Sequence, residues 1–243
     1  MLIPTHPHEE ITMKTYFIVP IMLIVALATT LAYADNDKKH GLTYGELSVK
    51  WQQWALAGPK GANAVEDETG DFCAAHQPKN NIWFLAGSFG KTGIVRKCTI
   101  PAKRALFYPI IEGGWIDCPG SADESVSDAD VRNIIAAGVA GDGASLLTST
   151  LDGVAVSSLQ IPTARVQSPK FKVNLPLNHI LGDAGCGFIL PTGKTGRLII
   201  DGYWVKLPPL TPGNHVITLH GASGDSTGRS FENEVTYNLT VLK

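Results

Sequence analysis

Charge is scarce in this chain of 243 residues, where 20 Lys and Arg stand against 22 Asp and Glu for a net charge of −2. A balance so close to neutral gives no electrostatic footprint for nucleic acid or for an anionic membrane surface. Internal repeats, heptads and low-complexity tracts are absent as well, so nothing points to a solenoid or a coiled coil. Cysteine is limited to Cys73, Cys98, Cys118 and Cys186. No two of them are close in sequence, and the paired spacing of a structural zinc site is missing. Cofactor fingerprints fail on inspection. Gly193-Lys194-Thr195 matches the end of a phosphate-binding loop, but Phe188 stands where that pattern requires glycine. Pro191-Thr192-Gly193 reads more simply as a turn.

Long apolar runs are absent with one exception, Phe17 to Ala34, which ends in the small-residue triplet Ala32-Tyr33-Ala34. With Met13 as the start and Lys14 as a short basic region, this stretch has the form of a signal peptide cleaved before Asp35. Pro20 interrupts the run, and its length is marginal for a membrane anchor. Residues 1–34 are therefore expected to be an N-terminal extension and signal peptide, and residues 35–243 one exported domain in the periplasm or the medium, off the membrane after cleavage. Removal of the leader takes away Glu9, Glu10 and Lys14 and moves the net charge one unit toward neutrality. An even cysteine count in an exported chain implies two disulfides. Three pairings are open from sequence alone. Cys73 with Cys98 and Cys118 with Cys186 is the favoured pairing, because the first pair flanks what reads as a hairpin.

Thr43-Tyr44-Gly45-Glu46 has the form of a capping box. A helix over Thr43 to Ala57 should follow, with Leu47, Trp51 and Trp54 on the face that docks on a core and Gly58-Pro59 as its stop. From Ile82 the pattern changes to short β-branched and aromatic runs: Ile82 to Ala86, Gly93 to Ile100 and Arg104 to Ile111. A short helix is expected at Asp128 to Ala137, capped by Ser127, with Val131, Ile134 and Ile135 on one face and Gly138 as its end. Strand signals resume at Gly153 to Val156, Phe171 to Leu175, Leu198 to Leu207 and Asn214 to His220. The last run is the clearest, with Val235, Tyr237, Leu239 and Val241 alternating with Glu234, Thr236, Asn238 and Thr240. At least seven short strands and two helices predict a mainly β protein, an antiparallel β-sandwich of Ig-like or jelly-roll-like form with an N-terminal amphipathic helix and one short inserted helix.

Several of these segments carry a resemblance. Tyr44-Gly45-Glu46-Leu47-Ser48-Val49-Lys50-Trp51-Gln52-Gln53-Trp54, Thr69-Gly70-Asp71-Phe72-Cys73, Trp83-Phe84-Leu85-Ala86-Gly87 and Cys98-Thr99-Ile100-Pro101-Ala102 are similar to a family of uncharacterised secreted bacterial proteins. The likeness continues at Arg104-Ala105-Leu106-Phe107-Tyr108-Pro109, Val166-Gln167-Ser168-Pro169-Lys170-Phe171, Asp201-Gly202-Tyr203-Trp204 and Leu210-Thr211-Pro212-Gly213-Asn214-His215. It brings no activity with it. The chain departs from that family at Lys103, where glycine is usual, and the departure implies a different turn there.

Candidate sites are few. Gly224-Asp225-Ser226-Thr227-Gly228 matches a nucleophile elbow, but a strand rather than a helix follows and no later histidine completes a triad, so it reads as a hairpin loop. His215 and His220 stand an odd number apart and leave opposite faces of one strand, which argues against a shared metal. Glu66, Asp67, Glu68 and Asp71 crowd one loop, read as solvated rather than as a calcium site. These acids and Asp201 are the carboxylates available for glycoside hydrolysis, which depends on a separation in space that sequence does not give. Trp83, Trp115, Tyr203 and Trp204 are the candidate ligand-contacting aromatics, and Tyr203 and Trp204 must face opposite ways. No catalytic, cofactor or metal residue is assigned. The reading is a non-enzymatic module that binds carbohydrate or a cell-surface protein, with a secreted glycan hydrolase and a structural envelope protein as alternatives. Carboxylates converging in one cleft would favour the hydrolase, and a flat aromatic patch the binder.

Overall fold

The computed structural model describes residues 41–140, 146–157, 164–225 and 228–243. The expected leader at 1–34 and the start at Met13 lie outside the described residues, as do Ser226 and Thr227 of the elbow-like motif. Among the described residues no helix is long and apolar enough to cross a membrane.

The first helix, α1 (Tyr44–Ala55), begins as its sequence requires. Glu46 N–H donates to Thr43 Oγ1 at 3.1 Å and Thr43 N–H donates to Glu46 Oε2 at 2.9 Å, so each end of the capping box satisfies the other. Leu47, Trp51 and Trp54 are buried. The indole N–H of Trp51 donates to the Leu85 carbonyl and that of Trp54 to the Ala75 carbonyl, which fixes the helix to the segments that follow it.

Eleven strands are described: β1 (Ile82–Phe84), β2 (Ile94–Ile100), β3 (Ala105–Ile116), β4 (Leu146–Leu151), β5 (Val154–Ala155), β6 (Arg165–Gln167), β7 (Asn174–Leu175), β8 (Gly193–Lys194), β9 (Leu198–Leu207), β10 (Gly213–Asp225) and β11 (Gly228–Val241). One sheet has the order β1-β3-β9-β6, a second β2-β11-β10-β4-β5, and β7 pairs with β8 alone. The molecule is mainly β, but the antiparallel expectation is corrected: β1 runs parallel to β3, and β2 parallel to β11. The hairpin drawn between Cys73 and Cys98 is corrected as well, because β1 and β2 belong to different sheets. The disulfides join Cys73 to Cys98 and Cys118 to Cys186, so the first ties the turn segment before β1 to β2.

Alternation decides which faces meet. Leu106, Tyr108 and Ile110 of β3, Val205 and Leu207 of β9, Ile217 and Leu219 of β10, and Val235, Tyr237, Leu239 and Val241 of β11 form one apolar cluster shared by the two large sheets. The opposite face of the first sheet carries Phe107, Ile200 and Trp204, and α1 covers it through Leu47, Trp51 and Trp54. Trp204 stacks on Phe107 with centroids 5.1 Å apart and meets Trp51 edge-on at 5.4 Å. Arg96, only 1% exposed, lies in this interior and donates to the carbonyls of Val65, Asp67, Ala86 and Gly87 and to the Tyr237 hydroxyl.

The second helix, α2 (Asp128–Ala140), starts as expected, with Asp130 N–H donating to Ser127 Oγ. It does not stop at Gly138, and its buried stripe is Val131, Ile135 and Val139 rather than Val131, Ile134 and Ile135; Ile134 is half exposed. The reason is tertiary. A Cβ placed on Gly113 of β3 would lie 2.9 Å from Val139 Cγ2, and this close seat outweighs the roughly 1 kcal/mol that a helical glycine costs. The turn at Lys103 persists without glycine, with Lys103 itself in the left-handed region at φ 63°.

Candidate functional site

The site originates in one extra residue. Along β3, Leu106, Tyr108 and Ile110 point into the cluster shared by the sheets, and period two would send Glu112 after them. The register slips instead: Pro109 lies opposite Trp204 and Ile111 opposite Tyr203, leaving Ile110 as a bulge. Bulges re-aim side chains. Beyond this one, Glu112 lies opposite Gly202 and turns to the face that α1 covers. Gly202 makes the room, since a Cβ there would fall 2.7 Å from the Ile111 carbonyl oxygen and 2.8 Å from Glu112 Cβ.

Asn233 of β11 holds the bulge. Its Nδ2 donates to the Ile110 carbonyl at 3.1 Å while its Oδ1 accepts from Ser88 N–H at 2.6 Å, so one amide joins β3, β11 and the segment after β1. Gly221 completes the approach, because a Cβ on it would lie 2.3 Å from the same Ile110 oxygen.

Glu112 borders two cavities on the α1 side and a third hollow toward α2. A smaller one of about 150 Å³ has mainly hydrocarbon walls from Trp51, Phe89, Ile110 and Phe231, with Ser88 and Asn233 at its polar side. A larger one of about 420 Å³ extends past Trp115 and Asp123 toward Leu181. Gln52, Phe89 and Glu112 line both. Gln52 is 9% exposed, and its Oε1 is buried without a hydrogen-bond partner. Glu112 is half-buried by exposed surface yet set deep among hydrocarbon walls, and this withdrawal from water pushes its carboxyl up to about 7, with no hydrogen bond from a described neighbour to offset it. Two acceptor groups thus face the same space without donors.

The aromatics named from sequence are dispersed. Trp83 is 5% exposed and belongs to the cluster between the sheets, and Trp204 is fully buried beneath α1. Tyr203 is half-buried and packs on the inter-sheet cluster. Trp115 lines the larger cavity and donates its indole N–H to Asp117 Oδ1 at 2.9 Å. The four cysteines are occupied in the two disulfides.

The acidic residues singled out earlier do not converge on one cleft, and Asp71 is exposed with only its backbone N–H bonded, to Thr69 Oγ1. Burial would raise the Asp67 carboxyl, but N–H donors from Phe72, Thr69 and Gly70 and the Thr69 hydroxyl outweigh it and hold the group below its ordinary value. Glu68 pairs with Lys91, and Glu66 accepts from Gly61 N–H. Asp201 is fully buried and held by Arg165 at 2.7 Å and Gln167 at 3.0 Å. His215 pairs with Asp152 and His220 with Glu232, on opposite faces of β10. Among the described residues no group of three or more His, Cys, Asp or Glu is placed to hold a metal ion.

Sequence reasoning passed over Glu112 and Gln52. One signal was legible: Glu112 is the lone carboxylate continuing the apolar run Ala105 to Ile111, followed at once by two glycines. No protein-family model, curated protein or solved structure matches the chain.

Proposed function

We propose that the chain is a secreted or periplasmic binding module, a mixed-sheet sandwich that takes a small ligand into the cleft between α1 and β3. The observation that carries this reading is the juxtaposition of two partnerless polar groups, Gln52 Oε1 and the Glu112 carboxyl, in a space whose walls are mainly hydrocarbon. Such concave, apolar spaces with a few converging polar groups are the usual form of a small-molecule site. A pair of disulfides suits an oxidising compartment outside the cytoplasm. The test uses six-carbon probes of different head groups, n-hexanol, hexanoate and n-hexylamine, read by isothermal calorimetry and by the fluorescence of Trp51 at the cavity wall. At least one probe should bind saturably, and Ala55→Leu, which fills the smaller cavity from α1, should abolish it. Binding that survives the filled cavity, or no binding by any probe, overturns the reading.

One observation favours the hydrolase as a second reading. Glu112 and Asp123 line the same larger cavity beside Trp115, and a carboxyl raised toward neutrality paired with a second carboxylate is the arrangement that glycoside hydrolysis uses. Release of nitrophenol from aryl glycosides, lost in both Glu112→Gln and Asp123→Asn, would establish it. Turnover unaffected by either substitution would remove it.

A further inference from the structure

We infer that the cleft between α1 and β3 selects a primary ammonium group carried on an apolar body. This rests on the binding reading above and adds the chemistry of the ligand. Of the residues lining this cleft, Gln52 has its Oε1 buried without a partner, and no hydrogen bond from a described neighbour reaches the half-buried Glu112 carboxyl; both are acceptors, so the complementary head group is a donor. An ammonium presents three N–H donors on one atom and satisfies both oxygens at once.

Charge separates the candidates further. The cavity walls come from α1, the 56–65 segment, the segment after β1, β3, the 118–123 segment, the 180–185 segment, β9 and β11, and they contribute no Lys, Arg or His; the buried Arg96 lies behind the smaller cavity with its donors on carbonyls that include those of Val65 and Gly87. The third hollow that Glu112 touches, toward α2, adds Ile134, Ile135, Val139 and Ser223 and again no basic group. Asp123, on the short turn before α2, is the other titratable residue on these walls, and it is also a carboxylate. An anionic ligand would therefore enter against like charge with no cation to receive it. A neutral donor such as a hydroxyl satisfies Gln52 and leaves an ionised Glu112 uncompensated. A cation alone offsets the cost of ionising a carboxyl in this space. The apolar body follows from Trp51, Phe89, Ile110 and Phe231, which offer hydrocarbon contact and stacking surface immediately beside the two oxygens.

Binding is then coupled to the protonation of Glu112. An ammonium binds the ionised carboxylate, so below the value of about 7 set by burial, association must expel a proton from Glu112, whereas above it the carboxylate is already present. Hexylamine remains protonated over this range, as a lysine side chain does.

The experiment is calorimetric titration of the purified chain with n-hexylamine, n-hexanol and hexanoate at pH 8 and pH 5.5. At pH 8, hexylamine should bind at least about tenfold more tightly than hexanol, with hexanoate the weakest. Between pH 8 and pH 5.5 its affinity should fall about 30-fold while that of hexanol stays constant. Glu112→Gln should bring hexylamine to the level of hexanol and remove the pH dependence. Gln52→Leu should weaken hexylamine and keep the pH dependence. Should Glu112→Gln fail to fold, the wild-type pH dependence measured against hexanol decides the question. Hexanol or hexanoate binding as well as hexylamine overturns the ammonium preference and leaves the binding module standing, as does a hexylamine affinity that ignores pH. No binding by any of the three removes the binding reading itself.

Discussion

A guanidinium without a carboxylate partner is an unusual core residue, and Arg96 is one: its donors end on four backbone carbonyls and the Tyr237 hydroxyl. Replacing it by methionine keeps the apolar stem and strands those carbonyls. Urea denaturation of Arg96→Met should show a loss of about 3 kcal/mol or more. Lysine should recover only part of it, having fewer donors in a different geometry. Glu112 acts on stability in the opposite sense to a paired acid. Its carboxyl is raised from 4.5 to about 7, so the folded state holds a proton that the unfolded chain releases; this stability is full below the unfolded value and is lost as pH rises through 7. Glu112→Gln should flatten that decline and stabilise the protein by about 1–3 kcal/mol at pH 8, measured by denaturation at pH 5 and pH 8. Asp67, held below its ordinary value, supplies the acid limb, present above the unfolded value and lost on acidification. Lys103 tolerates a left-handed backbone at φ 63°. Lys103→Gly should therefore raise stability by up to about 1 kcal/mol in the same assay. The residue types on these positions were plain in the sequence, but their neighbours were not, because no local pattern announces that an arginine will be met by carbonyls from two distant segments.

At the scale of elements, local signals were legible wherever local physics decides. The capping box at Thr43 and Glu46 marks α1 to the residue, and Thr43→Ala should cost about 1 kcal/mol in thermal unfolding by removing the acceptor of an otherwise orphaned N–H. The strict alternation in β11 marks its buried face correctly, whereas Leu198 to Leu207 marks only the strand β9, which is buried on both faces. Three other strands carry no such signal. β6 and β8 are three and two residues long, and β4 carries Thr148, Ser149 and Thr150 at its centre, so none offers enough apolar period to register. Phe171 to Leu175 was read as a strand from a true alternation of burial, yet only Asn174–Leu175 and a bridge at Phe171 are paired. The bulge at Ile110 was invisible for a different reason. Period-two reasoning has no term for an inserted residue, and the candidate site exists because of that insertion.

Whole-molecule features were the least legible, because strand pairing joins residues that no window of sequence contains. The alternation of β2 and β11 reveals which side chains face inward, but nothing local says that the two run side by side in the same direction. The disulfides span separations of 25 and 68 residues. In the chain-entropy picture they contribute about 3.5 and 4 kcal/mol respectively. Cys186→Ser should therefore lower the melting temperature at least as much as Cys73→Ser. The parallel β2–β11 pair also governs timing. β2 lies at the edge of its sheet, and among the described residues β11 is its one neighbour there, so its backbone pairing waits for a strand far along the chain. The topology withholds closure from every shorter intermediate, and the barrier to forming such distant contacts slows what remains. Until that pairing forms, the hydrogen-bonding edge of β2 stands open to strands of other chains, so association between molecules competes with closure of the sheet.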